Sequence, residues 1–184
     1  MTNVHPASGL ETKYCALEVA PDVGDGAVIS GYASVFGRAD RGGDIVAVGA
    51  YARSLDALTA AGRKVKMLWQ HDPCTPIGVW EEVREDGHGL YVRGRLLTEV
   101  QAGREALALL EARAIDGLSI GYRAVKAETQ GTGRLLQDID LWEVSLVTFP
   151  MQPDARAHAG AEGAASDMAG DLAHIFDAAR ARLA

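Results

Sequence analysis

The sequence RLLQDIDLWEVSLVTF at residues 134–149 reads as one long β-strand. Apolar and β-branched side chains dominate its second half, and Pro150 closes it because proline cannot donate to a β ladder. One carboxylate, that of Glu143, stands inside the apolar run from Leu141 to Val147. Burying a carboxylate is costly unless another group pairs with it. The run therefore predicts a partner for Glu143, whether this residue lies at a sheet edge or orients a histidine.

A second strand is predicted at residues 117–127 and carries Ser119 between two glycines. Period-two alternation places Leu118 and Ile120 on one face of this strand, and Ser119 with Gly121 on the other. The flanking glycines leave space beside the hydroxyl. Ser119 is then either a candidate nucleophile or a small polar residue on the wet side of a sheet.

The same residues match the G-x-S-x-G elbow of α/β-hydrolases. An elbow joins a strand to a following helix, whereas here a predicted helix precedes the serine and β-type residues follow it. The elbow order also requires an acid and then a histidine after the serine, and the later histidines, His158 and His174, lie in the C-terminal tail. An esterase is therefore the weaker interpretation.

A third strand ends at His71 and alternates between a polar face and an apolar face that carries Met67 and Trp69. His71 lies on the apolar face and precedes a turn. Taken alone, such a histidine is usually a hydrogen-bonded residue of the core or its rim. Asp72 and Cys74 follow it, but no second pair of ligands stands at a useful spacing, so we expect no metal site and no cofactor.

The remaining pattern is β-rich, with two helices inserted between strands. One helix begins near Tyr51 and ends at Gly62, and a capping box of Thr98 with Gln101 opens a second helix that runs to about Arg113. Further strands are predicted at 14–19, 27–36, 45–48, 77–84 and 89–97. This order predicts a β-rich α+β fold, a closed or nearly closed antiparallel β-barrel with flanking helices.

Three parts of the chain differ in composition. Residues 1–11 resemble a flexible arm, 12–153 form the predicted domain, and 154–184 comprise a linker, at 154–165, followed by an amphipathic helix. The apolar stripe of that helix is formed by Met168, Leu172, Ile175, Phe176, Ala179 and Leu183. The helix either docks on the domain or binds a partner.

Charge and composition restrict the partners. The net charge of -7 comes without a block of Lys or Arg, so we expect no nucleic-acid surface. No apolar run is long enough to span a bilayer, and the N-terminus lacks the pattern of a secretory signal, so we expect no membrane association. The cysteines, Cys15 and Cys74, are then expected to be reduced thiols in a bacterial cytoplasm.

Several short segments, in their order and spacing, resemble the prohead proteases of tailed phages, a family related in fold to the herpesvirus assembly proteases. The likeness runs from about Gly31 to Ala155. The matching stretches are Gly31-Tyr32-Ala33-Ser34-Val35-Phe36, Gly49-Ala50-Tyr51 with Ser54-Leu55, Lys66-Met67-Leu68-Trp69-Gln70-His71-Asp72 with Pro76-Ile77-Gly78, Gly117-Leu118-Ser119-Ile120-Gly121-Tyr122, and Glu143-Val144-Ser145-Leu146-Val147-Thr148 with Pro150.

The resemblance implies a serine endopeptidase with Ser119 as nucleophile and His71 as general base. In the herpesvirus relatives the third member is a histidine some two dozen residues after the serine. Here Glu143 stands at that distance, with Asp140 and Asp138 as competitors. The arginine pair by which the relatives help to form an oxyanion site has no counterpart, so the oxyanion donors stay unassigned.

By the same resemblance, the substrates are scaffold and major capsid protein segments, and the protease itself, inside an immature procapsid in the host cytoplasm. A homo-oligomer is also implied. The alternative is a non-catalytic scaffold or structural component of a phage-derived particle, which kept the fold and whose C-terminal helix is the functional part.

Overall fold

A single curled sheet organises the part of the chain that the computed structural model describes, which is residues 11–15, 27–150, 152 and 157–159. The strands are β1 (Glu11–Cys15), β2 (Val28–Val35), β3 (Ile45–Val46), β4 (Lys66–Trp69), β5 (Asp72–Glu85), β6 (Gly89–Leu96), β7 (Gly117–Gln130), β8 (Gly133–Val147) and β9 (Ala157–Ala159). The helices are α1 (Ala52–Ala60), between β3 and β4, and α2 (Gln101–Glu111), between β6 and β7. No helix among these residues has the length and apolar character needed to cross a membrane.

The sheet is open. Its strands follow the order β1-β7-β8-β4-β5-β6-β2-β9, and β3 pairs with β8 outside this path. The end strands β1 and β9 lie at opposite ends of the path. Most neighbours are antiparallel, but β3 and β4 both run parallel to β8.

The prediction of a closed or nearly closed antiparallel β-barrel with flanking helices is therefore wrong. The sheet is a curled half-barrel, and the described residues contain only the short helices α1 and α2 beside it. Closure needs a ladder between the two end strands and a consistent stagger around the ring. Hydrophobic alternation reports which face a strand buries, but it does not report which strand becomes its neighbour.

The core is formed mainly by aliphatic side chains. Those with no exposed surface include Ile29, Ile77, Leu90, Leu118, Ile120, Leu136, Val144 and Leu146. The helix α2 covers part of this core with Ala106 and Leu110. Its N-cap is Val100, without a side-chain cap, so the predicted capping box of Thr98 and Gln101 does not form.

A buried amide joins the segment after Pro150 to the second strand. Gln152 is 4% exposed, and its Oε1 accepts from the backbone N–H of Val35 at 2.9 Å. Its Nε2 donates to the Val35 carbonyl at 2.8 Å. The amide thus satisfies both polar groups of one backbone residue, as a neighbouring strand would. β9 extends this connection, since Ala157 to Ala159 pair with Gly31 to Ile29 of β2.

β9 lies within the segment predicted to be a linker, at 154–165, and Glu11 of the predicted arm belongs to β1. The predicted amphipathic helix at 168–183 falls outside the described residues. The division into an arm, a domain and a tail therefore stays a prediction.

A two-residue turn joins β4 to β5 and carries His71. Trp69 and Asp72 are opposite partners, so Gln70 and His71 form the connection between them. Both have left-handed φ angles, of 51° and 63°. Positive φ at both central positions is what a type I′ hairpin turn requires, and asparagine and glycine normally supply it. For other residues this conformation costs about 1–2 kcal/mol each.

The turn is fastened to the end of β8. The backbone N–H of Gln70 donates to the Leu146 carbonyl at 2.9 Å. The side-chain amide of Gln70 donates to Oγ1 of Thr148 at 2.7 Å. These bonds offset the strain of the left-handed backbone, and they place His71 beside β8.

Two substitutions at Gln70 should separate backbone strain from the side-chain bond. Gln70→Ala and Gln70→Gly both remove the amide contact with Thr148, but only glycine adopts the left-handed conformation without a steric penalty. The glycine variant should therefore be more stable than the alanine variant by about 1 kcal/mol. Chemical denaturation of both variants measures this difference, and equal midpoints would show that residue 70 is not strained.

Candidate active site

Three adjacent strands bring the predicted site residues together. β8 lies between β7 and β4, with Ser119 opposite Ser145 in one ladder and Leu68 opposite Ser145 in the other. Ser119 is on β7, Glu143 is on β8, and His71 follows the end of β4. The site therefore depends on neighbouring backbone ladders and on one tight turn.

Ser119 and His71 are in direct contact. Nε2 of His71 lies 2.6 Å from Oγ of Ser119. Ser119 has no exposed surface, so the alternative of a serine on the wet side of the sheet is wrong. A hydroxyl this close to an unprotonated imidazole nitrogen donates to it, and this is the arrangement in which the imidazole can take the proton.

Glu143 binds the other nitrogen of the same ring. Oε1 of Glu143 lies 2.5 Å from Nδ1 of His71, and both side chains are almost fully buried, with exposed fractions of 6% and 7%. An ionised carboxylate only accepts hydrogen bonds, so Nδ1 carries the proton and Nε2 is left to accept from Ser119. The partner that the buried carboxylate was predicted to need is therefore His71.

Ser145 was missed as a site residue in the sequence. Its Oγ donates to Oε2 of Glu143 at 2.6 Å and accepts from the backbone N–H of His71 at 3.2 Å. A period-two signal could have found it, because residues 143 and 145 share one face of a strand. Both carboxylate oxygens of Glu143 thus have a donor.

Gly121 gives the Glu143 side chain its space. The two residues are opposite each other on β7 and β8. A Cβ atom at position 121 would lie 2.0 Å from Oε1 of Glu143. At Gly117 a Cβ would instead lie 2.6 Å from the backbone oxygen of Val147. The two glycines of the G-x-S-x-G match therefore admit a carboxylate and a neighbouring strand, and they do not form a nucleophile elbow.

The competing carboxylates have other partners. Nε of Arg53 donates to Asp138 at 2.9 Å, and its Nη2 donates to Asp140 at 2.5 Å. Arg123 also donates to Asp140. Hydrogen bonds from Arg53 and then from Arg123 hold the pKa of the Asp140 carboxyl below its usual range. The hydrogen bonds of both aspartates therefore go to arginines and not to His71.

In the described part of the chain, no three His, Cys, Asp or Glu side chains are grouped closely enough to hold a metal ion. The contacts that are present form a path for one proton. It leads from a hydroxyl to an imidazole whose far side is held by a carboxylate.

Gly121→Ala should detach the carboxylate from the imidazole while the fold persists. The three atoms nearest to the new methyl group all belong to the Glu143 side chain, which must swing away from Nδ1 of His71. In proton NMR, the Nδ1–H resonance should lie strongly downfield in the wild type, and in the variant it should move upfield or vanish through exchange. Gly87→Ala is the matched control, because a Cβ there meets no atom within 4 Å. An unchanged resonance in the Gly121→Ala variant would contradict the close approach of Glu143.

The chain is similar to known prohead proteases. A family model described as caudovirus prohead serine protease matches residues 16–168. The prohead protease of Enterobacteria phage HK97 is 36% identical over 138 residues, which cover 72% of this chain and 60% of that protein. The prohead protease of Escherichia phage T5 is 27% identical over 129 residues, which cover 69% of this chain and 60% of that protein.

The fold also has a solved counterpart. The capsid assembly protease of bacteriophage T4 superposes with a TM-score of 0.58 at 17% identity, over 77% of this chain and 96% of that chain. At this identity the likeness concerns the fold. The chain spans about 60% of the length of the two curated relatives.

Proposed function

Because the chain belongs to the family of caudovirus prohead serine proteases, we propose that it is a serine endopeptidase of phage procapsid maturation. The observation that carries the proposal is the buried contact of 2.6 Å between Nε2 of His71 and Oγ of Ser119. Glu143 on the far nitrogen completes a set of nucleophile, base and orienting acid.

The reaction follows the chemistry of acyl transfer. Oγ of Ser119 attacks a peptide carbonyl carbon while Nε2 of His71 takes the hydroxyl proton. When the tetrahedral intermediate collapses, the carbon–nitrogen bond breaks and His71 gives that proton to the leaving amine. Water then enters by the same route and hydrolyses the acyl ester. Glu143 keeps the proton on Nδ1 and stabilises the imidazolium without taking its proton.

The proposed substrates are segments of the scaffold and the major capsid protein, and the protease itself. The proposed place is the immature procapsid in the host cytoplasm, where the chain acts as a homo-oligomer. Its family membership supports this proposal, and so do the names of its relatives, prohead protease and capsid assembly protease.

Access to the nucleophile requires a rearrangement. Ser119 has no exposed surface, and β1 runs antiparallel along β7, with Tyr14 opposite Ser119. A substrate strand therefore has to displace whatever covers the hydroxyl. The same burial is what favours the second candidate, a non-catalytic scaffold or structural component that keeps the site closed.

Ser119→Ala decides between these candidates. Co-expression of the wild-type chain with the cognate capsid and scaffold proteins should yield shortened products, and the variant should yield none. Loss of a triad nucleophile lowers turnover by about a million-fold. Mass spectrometry of the products measures the outcome, and a thermal melt of the variant controls for folding. Equal processing by both chains, in a host without other proteases, would contradict the protease and favour the scaffold.

Glu143→Gln should lower the rate by less than Ser119→Ala does. The amide replaces a charge that stabilises the imidazolium, and comparable changes in other serine proteases cost about 10⁴-fold in kcat. Asp140→Asn is the matched control, since it makes the same chemical change in a carboxylate bound to Arg53 and Arg123. Processing time courses of the two variants give the comparison. If the Asp140→Asn variant cleaved more slowly than the Glu143→Gln variant, the orienting role would belong to Asp140.

A further inference from the structure

Ser145 lies at the centre of the site, although the reaction described above does not use it. It has no exposed surface, and it is opposite Ser119 on β7 and opposite Leu68 on β4. A buried hydroxyl must find hydrogen-bond partners, because an unsatisfied one costs about 1–3 kcal/mol. The hydrogen-bond partners of the Ser145 hydroxyl therefore indicate its role.

The hydrogen bonds of Ser145 have a fixed direction. A serine hydroxyl has one proton and two acceptor lone pairs. Its proton goes to Oε2 of Glu143, at 2.6 Å, since a carboxylate can only accept. Its oxygen accepts the backbone N–H of His71, at 3.2 Å. Ser145 therefore contacts both the carboxylate and the main chain of the general base.

These contacts close a ring of hydrogen bonds. His71 donates to Glu143 through Nδ1 and to Ser145 through its backbone nitrogen, and Ser145 donates to Glu143. The side chain and the backbone of His71 are thus both held, by two residues on one face of β8. The backbone bond also holds the second residue of a strained turn, where φ of His71 is 63°.

We infer that Ser145 is a positioning residue for the proposed protease reaction, which locks the Glu143 carboxylate and the His71 backbone into one rigid unit. The inference rests on the proposed function. Without the hydroxyl, Oε2 of Glu143 loses its donor in a site that excludes water, and the carboxylate can rotate away from Nδ1. The proton is then no longer held on Nδ1, and Nε2 no longer points at the hydroxyl of Ser119, so the chemical step slows.

A nucleophilic role for Ser145 does not fit its contacts. Its proton is already donated to Glu143, and its contact with His71 is to the backbone nitrogen, not to the ring. A purely structural role is the remaining alternative. It predicts a loss of stability without a specific loss of rate.

Ser145→Ala tests the inference, with Ser54→Ala as the matched control. Ser54 is also buried, at 4% exposure, and its Oγ accepts the backbone N–H of Leu141 on the same strand, at 2.9 Å. Both changes delete a buried hydroxyl that binds a backbone N–H, but only Ser145 contacts Glu143 and His71. The assay is cleavage of the purified cognate capsid protein with the protease in excess, at a temperature where all variants are folded by circular dichroism.

The Ser145→Ala variant should cleave about 10- to 100-fold more slowly, which is the loss typical when the partner that orients a metal-binding side chain is removed, whereas Ser54→Ala should cleave at the wild-type rate. The same substitution in a Glu143→Gln background should slow cleavage by less than about threefold, because residues that act as a unit are not additive. Ser145→Ala should also weaken the downfield Nδ1–H resonance of His71.

Three results would overturn the inference: a wild-type rate for Ser145→Ala, an equal loss in Ser54→Ala, or a full additional loss in the Glu143→Gln background. Failure of the proposed function is recognised separately, because the wild-type chain and Ser119→Ala would then behave alike.

Discussion

The position of β8 between β7 and β4 is the constraint on which the site depends. β8 is antiparallel to β7 and parallel to β4, so two independent ladders fix its register. A slip by one residue in either ladder would turn Glu143 and Ser145 to the opposite face, where the intervening Val144 is buried in the core. The indole of Trp80 adds a third restraint, because its Nε1–H donates to the Val144 carbonyl at 3.1 Å. Core packing therefore determines where the carboxylate points.

Local structure around the site departs from ordinary preferences in several ways. Gln70 and His71 have left-handed backbones without being glycine, Gly121 stands inside a strand, and Glu143 carries a buried carboxylate. Each departure alone is unfavourable for stability, but each makes possible a contact between site residues. The turn directs the imidazole towards β8, the missing Cβ admits the carboxylate, and the carboxylate holds the imidazole. Such mutually dependent departures are expected where function, not stability, selects the residues.

The sequence predicted most of the strands and the identity of the interacting side chains, but not the arrangement of the sheet. The alternation at residues 117–122 shows which side chains share a face, and the cost of burying Glu143 predicted that it has a partner. The alternation at 64–71 was wrong for His71, because Met67 pairs with the core residue Val144, whereas the His71 ring contacts Glu143 and Ser119 on the opposite face of the sheet. His71 and Ser119 were singled out mainly by the family resemblance. The parallel pairing of β4 with β8 depends on contacts distant in sequence, and so does the openness of the sheet, for which periodicity has no signal. The left-handed turn was also missed, since Gln70-His71 lacks the glycine or asparagine that marks such turns.

The directions of the hydrogen bonds define how the site works. Glu143 accepts from Nδ1 of His71 and from Ser145, and His71 in turn accepts from Ser119 at Nε2. Every proton in this series points towards the carboxylate, so the positive charge that the proposed reaction places on the imidazole would meet a negative charge already held by fixed donors. In a buried site this preorganisation matters more than in water, because the surroundings need not reorient as the charge develops. A free carboxylate in solution would give up its own hydration shell to approach the imidazole, whereas Glu143 has exchanged that shell for Ser145 and His71 during folding. The energetic cost of burying the charge is therefore met by the fold, before any substrate binds.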